Sequence, residues 1–279
     1  MNKLLTASLK RILKIKTLYI CRGVIIAIDV FDIIKEYVTC SSKDTLPAPD
    51  GYLLSGFLWI VLLAAVFISS FLGSEHAYGT LRNKLSVGYS RLEIYASSFI
   101  SCYLAVLIMY ATVWIPTFIL GNLLLGGFKF TADELLIKLL ISCLAITILT
   151  ALYVMIGLCI QSRSLASVTA VISAFLIVML GVVTTITLSQ PEYVPASSVT
   201  AEYRQSCEIS PDDPALVKNP DYITGTARRN FQIADDLGPV SQILNSGDTL
   251  EPKNVLIPLC EIIFLTFAGF IIFQKRDLK

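Results

Sequence analysis

SEHAYGTLRNKLSVGYSRLEIY, residues 74–95, is a charged, glycine-punctuated stretch between two long apolar runs. The run before it, Leu53 to Gly73, carries no charge, and the run after it, from about Ile94 to Leu125, is as bare. Each exceeds the roughly 18 apolar residues that cross a hydrocarbon core about 30 Å thick. Two such runs belong in a bilayer, so the stretch between them sits at one membrane face. It is too short for a domain and too regular for a plain turn. A membrane protein that holds a short structured segment between spans usually presents it to a partner.

The whole chain agrees with that reading. It is 55% hydrophobic and 15% charged, against about 45–50% and 25% in soluble globular proteins. The apolar residues come in long runs rather than alternating with polar ones, which excludes a β-barrel. The fold class is all-α integral membrane, with six transmembrane helices expected at 17–34, 53–73, 94–120, 135–160, 165–188 and 255–273. The net charge of +1 says little; its distribution says more. Lys3, Lys10, Arg11, Lys14 and Lys16 load the segment 1–16, which is amphipathic and carries no acid. Arg82, Lys84 and Arg91 load the insert, and Lys275, Arg276 and Lys279 the tail. The clusters hug the ends of spans, so they act as orientation signals and not as a nucleic-acid surface. The short loops on the other side hold only Lys43 and Lys129. The expectation is a multi-pass protein with both termini cytosolic and no cleaved leader.

The first span departs from the others because Arg22, Asp29 and Asp32 lie within it. Ionised groups in hydrocarbon cost a few kcal/mol each, so they face protein or water. Arg22, Asp29 and Glu36 recur every seven residues and share a helix face. Three readings stand: a polar stripe lining a pathway, a helix buried among others, or a segment that does not fully cross.

Local grammar marks the boundaries. Ser90-Arg91-Leu92-Glu93 and Thr131-Ala132-Asp133-Glu134 are capping boxes where the third and fourth spans begin. Gly88 ends a short helix inside the insert, and Gly126-Gly127 makes a turn. Pro116 is expected to kink the third span. The loop 189–253 is acidic and polar, with ITGTARRNFQIADDLGPVSQIL, residues 223–244, able to form short helices. It is expected to be a small extracellular cap or a flexible loop. Of the seven cysteines, Cys40 and Cys207 fall in polar loops and would be the candidates for a disulfide.

Enzymatic signatures are absent. No phosphate-cradling G-x-x-x-x-G-K-[ST] occurs, so no ATP hydrolysis by this chain alone is expected. The single histidine, His76, cannot build a multi-histidine metal site. The pairs Asp212-Asp213 and Asp235-Asp236 read as solvated loop charge rather than a catalytic dyad. No catalytic residue and no metal ligand is assigned.

A mechanism can be argued for the insert. Residues 77–87 suit a short helix with Leu81 and Leu85 at i, i+4. Two readings stand. In one, the two leucines fill a groove on a partner while Arg82 and Lys84 meet its acidic rim, and a push on the helix moves both flanking spans. In the other, the helix lies on the membrane with those basic residues on lipid headgroups.

The pattern E-x-x-x-G-T-L-R-x-x-L-x-x-G-x-S-R-x-x-I-Y runs from Glu75 through Gly79, Thr80, Leu81, Arg82, Leu85, Gly88, Ser90 and Arg91 to Tyr95. It resembles the segment after the second span of ABC-2 type transporter permeases. The basic amphipathic segment 1–16 is similar to that family's elbow helix, and the six-span layout fits along nearly the whole chain. The resemblance implies a coupling segment at 74–93, in which Glu75, Gly79, Thr80, Leu81, Arg82 and Lys84 dock an ATPase. It implies a minor cytosolic contact at Gln161, Ser162 and Arg163. It implies two copies of a cytosolic ABC ATPase that bring the ATP and Mg, and a second permease, identical or related. No cofactor is implied for this chain itself. The expected activity is export of an amphiphilic substrate (antimicrobial peptide, drug or lipid) across a bacterial plasma membrane, as in antibiotic resistance or immunity. The competing hypothesis is a non-transporting sensor or immunity protein that binds an extracellular ligand through 189–253. An ATPase reading frame beside this one discriminates between them.

Overall fold

The computed structural model describes residues 2–41, 50–125, 131–195, 216–245 and 252–275. Along the chain run α1 (Asn2–Ile12), α2 (Lys16–Ser41), α3 (Asp50–Ala77), α4 (Thr80–Ser86), α5 (Arg91–Leu124), α6 (Ala132–Cys159) and α7 (Arg163–Ser189). The two short strands β1 (Tyr193–Pro195) and β2 (Leu216–Lys218) follow, then α8 (Gly225–Leu237), α9 (Pro239–Leu244) and α10 (Lys253–Lys275). Cys207, Gly126-Gly127, Asp212-Asp213, Arg276 and Lys279 lie outside the described residues.

Among the described residues, five helices are long and apolar enough to cross a membrane: α3 from Gly56, α5, α6, α7 and α10. Each contains or nearly contains one of the expected spans. Helix α2 is as long, at 26 residues, but its charges keep it out of that set. It still runs the length of the bundle. Ile15 and Thr17, at its start, share a cavity with Ser70 and Ser74 near the α3 terminus. Farther along, Asp29 lies against Gly56, close to the α3 start. Ser74 and Gly56 are about 27 Å apart along an ideal helix.

Both capping boxes form. The Ser90 hydroxyl accepts from Glu93 N and the Thr131 hydroxyl from Glu134 N, while each glutamate carboxylate takes the backbone N–H of its cap residue. These bonds satisfy donors that the first helical turn leaves open.

Helices α3, α5 and α6 form the centre, with α2, α7 and α10 around them. In its most apolar stretch α3 is 67% buried, against 11% for α10. Association in lipid depends on close packing, which favours small residues at crossings. Gly157 of α6 meets Leu72 of α3, where a Cβ would stand 2.8 Å from Leu72 Cδ1. Ala166, Ala170 and Ala174 of α7 are fully buried at four-residue intervals, and α7 packs mainly on α3. The Tyr153 hydroxyl in the core donates to Val61 O at 3.1 Å, tying α6 to α3. The outward sides of α7 and α10 expose Phe175, Leu176, Leu180, Ile263, Phe264 and Phe267, as lipid-facing surfaces do.

The bundle has two dissimilar ends. At one lie α1, α4, the end of α3 and the start of α7. Arg91, opening α5, donates to the terminal carbonyls of Phe273 and Gln274 on α10 there. At the other end the 189–253 segment does form helices, α8 and α9, as its sequence suggested. It also forms an antiparallel strand pair, Tyr193 opposite Lys218, that no sequence pattern marked. Helix α9 is buried at Pro239, Val240, Ser241 and Ile243. It inserts between α6 and α7, and Val240 sits on Gly181, where a Cβ would be 2.6 Å away.

Candidate functional site

The α4 region begins with the way α3 stops. Glu75, His76 and Ala77 belong to α3, so the helix expected over 77–87 is shorter and starts at Thr80. Gly79 has φ +66°, a left-handed conformation that glycine adopts without steric cost, and it breaks the chain direction. Thr80 Oγ1 donates to Glu75 O at 2.9 Å across this turn. At the other end Gly88 has φ +98°. Its N–H reaches Leu85 O at 2.9 Å, and that of Tyr89 reaches Lys84 O at 3.2 Å. This pair of bonds is a Schellman motif. Ser90 then opens α5 directly.

Seven residues are too few for a helix to persist by itself. Glu75 supplies the tie. Its carboxylate is nearly fully buried and receives Lys84 Nζ at 2.8 Å on Oε1 and 3.0 Å on Oε2. Arg11 of α1 adds Nη1 to Oε1 at 3.1 Å, and its Nη2 donates to Ser74 Oγ at 3.2 Å. The same guanidinium lies over the Phe71 ring, 5.4 Å from its centroid. One carboxylate therefore fastens α1, the end of α3 and α4 together. Leu81 is 2% exposed and Leu85 is partly buried, both turned into the core. This corrects the expectation that the two leucines are knobs offered to a partner. The i, i+4 spacing identified a face, and that face looks inward.

The outward face of α4 and its flanks carries Tyr78 at 71% exposure, Val87 at 75%, and exposed Arg82, Asn83 and Ser86. Of the residues named for ATPase docking, Arg82 is solvent-facing. Glu75, Leu81 and Lys84 are engaged inside the protein, and Gly79 and Thr80 shape the turn. Between α1 and α4 lies a crevice of about 310 Å³ lined by Leu4, Ser8, Val87 and Tyr89 among others.

Gln161, Ser162 and Arg163 lie at the same end, in the turn from α6 to α7. All three are exposed. Ser162 Oγ caps α7 by accepting from Leu165 N. Arg163 lies along α3: a Cβ on Gly73 would stand 2.8 Å from its Cγ, and its Nη2 donates to Ser70 Oγ at 3.3 Å.

Arg22, Asp29 and Asp32 of α2 are placed differently. Its buried face is Leu18, Cys21, Ile25, Asp29 and Ile33, packed on α5 and α3. Asp29 is 4% exposed, beside Gly56 and Val113, and its Oδ2 accepts no hydrogen bond. Arg22 is half-buried and donates from Nε to Thr112 Oγ1 of α5 at 3.0 Å. Asp32 is half-buried. Of the three readings for this helix, packing among other helices is the one these contacts support.

Asp235 at the opposite end is less solvated than the sequence suggested. It is half-buried and its Oδ1 accepts from Asn245 Nδ2 at 2.6 Å. Burial pushes its carboxyl above the ordinary carboxylate range. Among the described residues no three metal-ligating side chains cluster.

The family model described as ABC-2 family transporter protein matches residues 15–278. The chain belongs to the ABC-2 transporter family. No curated protein matches it. As an ABC-2 permease it is a multi-pass membrane protein and a membrane subunit of a transporter. Subunits of this family form the membrane channel and are distinct from the ABC ATPase with which they normally work.

Sequence reasoning missed Arg11 as a partner of Glu75. A signal was present: Glu75 and Glu93 are the only acids in 1–16 and 74–93. Glu93 is consumed by its capping box, which leaves Glu75 as the carboxylate that nearby cations must share.

Proposed function

We propose that this permease takes its ATPase on the outward face of α4, with Arg82 as the central charge and Tyr78 and Val87 as apolar contacts. The carrying observation is the Arg11–Glu75–Lys84 tie. It makes α4 continuous with α1 and α3, so force applied to a helix of seven residues reaches a membrane helix instead of merely bending a loop. Gln161 and Ser162 form the smaller contact. The ATPase, in two copies, binds ATP and Mg. The α4 end of the bundle is cytosolic, α2 counts as a sixth crossing helix, and both termini lie in the cytosol of a bacterial cell. A second permease, a copy or a relative, completes the pathway between the two chains. The substrate class is amphiphilic (peptide antibiotic, drug or lipid), moved outward, which fits a role in resistance or immunity.

The test is co-purification of the permease with a candidate ABC ATPase from the same source. Arg82→Glu is expected to abolish association while leaving the permease folded. Wild-type association by that variant overturns the docking assignment.

A further inference from the structure

We propose that the cavity between α1, the start of α2, α3 and α7 binds the phosphate of an anionic phospholipid. The cavity is about 220 Å³ and is lined by Arg11, Arg163, Thr17, Ser70, Ser74 and Tyr78 together with apolar walls. That is the space of about seven waters, enough for a phosphodiester and its hydration.

The charge balance calls for an anion. Arg11, Lys84 and Arg163 bring three cations to this corner, and Glu75, already shared by Arg11 and Lys84, brings one carboxylate. Among the described residues Arg163 has no carboxylate partner; its guanidinium donates to Ser70 Oγ. A guanidinium has five N–H donors, and two of them on Arg11 go to Glu75 and Ser74. Both arginines and Thr17 line the same cavity, and each guanidinium keeps N–H donors beyond the bonds it makes here. Phosphate oxygens suit guanidinium forks because they accept two parallel hydrogen bonds.

The location selects a lipid. Phe67, Phe71 and Ile15 form the apolar side of the cavity. Two residues beyond each arginine, Leu13 and Leu165 are exposed, followed by exposed Ile20 and Val168. The cavity thus lies where the polar end of the bundle meets its apolar flank, the level of headgroups. Gly73 is part of the construction, because a side chain there would collide with Arg163. The cavity borders the proposed ATPase face at Tyr78, but its cations, Arg11 and Arg163, lie off α4. It takes Arg163 away from that contact and leaves Gln161 and Ser162 to it.

The experiment is native mass spectrometry of the purified full-length chain in detergent, titrated with dioctanoyl-phosphatidylglycerol, dioctanoyl-phosphatidylcholine or inorganic phosphate. Phosphatidylglycerol is expected to bind tightest. Arg163→Gln is expected to weaken it about tenfold or more, as for a lost charge-assisted hydrogen bond, with Arg163→Lys intermediate. Gly73→Ala and Thr17→Val, whose melting temperatures are checked alongside, provide readouts if Arg163→Gln does not fold. Each is expected to weaken phosphatidylglycerol by a few fold and leave phosphatidylcholine unchanged. Undiminished phosphatidylglycerol binding by the folded variants overturns the proposal. So does displacement by equimolar inorganic phosphate, which marks a free-anion site. Loss of ATPase association in Arg163→Gln without any change in lipid binding overturns it too, since an acidic side chain of the ATPase is then the occupant.

Discussion

Two very short helices sit at opposite ends of this bundle and are held by opposite means. Helix α4 is fixed by charge: Glu75 takes Lys84 and Arg11, and Leu81 is its one buried side chain. Helix α9 is fixed by packing: Pro239, Val240 and Ile243 are buried between α6 and α7 without an ion pair. Each arrangement suits what surrounds it. An apolar wedge seats firmly among apolar helices and presents little to solvent. An ion-tied helix keeps one face inward on its carboxylate and leaves the other, with Arg82, Val87 and Tyr78, available. The difference separates a buried plug from a helix with an open outer face, although hydropathy alone treats both as loop.

The contrast can be broken first at Glu75. Glu75→Gln leaves two cations around a neutral group, and removing one partner of a buried pair costs about 3–5 kcal/mol. Solvent reaching Arg11, whose side chain is 33% exposed, puts the expected loss near the lower bound, read as a fall in melting temperature in detergent. Next comes the plug. Gly181→Ala places a Cβ 2.6 Å from Val240 Cγ1, and overpacking of that kind costs about 1–3 kcal/mol. Protease protection of residues 225–245 reports the loosening of α9. A smaller effect belongs to the start of α5: Ser90→Ala removes the cap on Glu93 N and costs about 1 kcal/mol, measured by hydrogen exchange at residues 91–94.

The smallest effect is a pH dependence of the α8–α9 unit. The Asp235 carboxyl is pushed up by burial, so the folded unit binds its proton more tightly than the unfolded chain does. Stability from this source is complete below the unfolded carboxylate value of about 3.9. It is lost as pH rises through the raised folded value. Asp235→Asn is expected to flatten that profile, followed by melting across pH 4–7.

Much of this architecture is legible in the sequence because it is local or repetitive. The apolar runs declare the crossing helices, and S-x-x-E and T-x-x-E declare where α5 and α6 begin. Gly88 declares where α4 ends. What the sequence leaves open is the direction in which a face points. Leu81 and Leu85 define a stripe by spacing, and only tertiary packing turns it inward. Arg11 reaches Glu75 across 64 residues, and Arg163 of α7 meets Gly73 of α3 with α4, α5 and α6 between them in the chain; no periodicity reports such pairs. PVSQIL, the six residues of α9, is too short for a hydropathy window to flag as buried. Asp29 shows the same limit in reverse, since a charged residue in the first long helix can read as pathway or as packing until its neighbours are known.

The most direct measurement of the central claim separates the two faces of α4. The affinity of the candidate ABC ATPase for the nanodisc-embedded permease is compared in wild type and Arg82→Glu, with melting temperature recorded in parallel. The account predicts at least about a tenfold loss of affinity from one charged contact with no change in melting. Unchanged affinity, or a melting temperature that falls with it, contradicts the account.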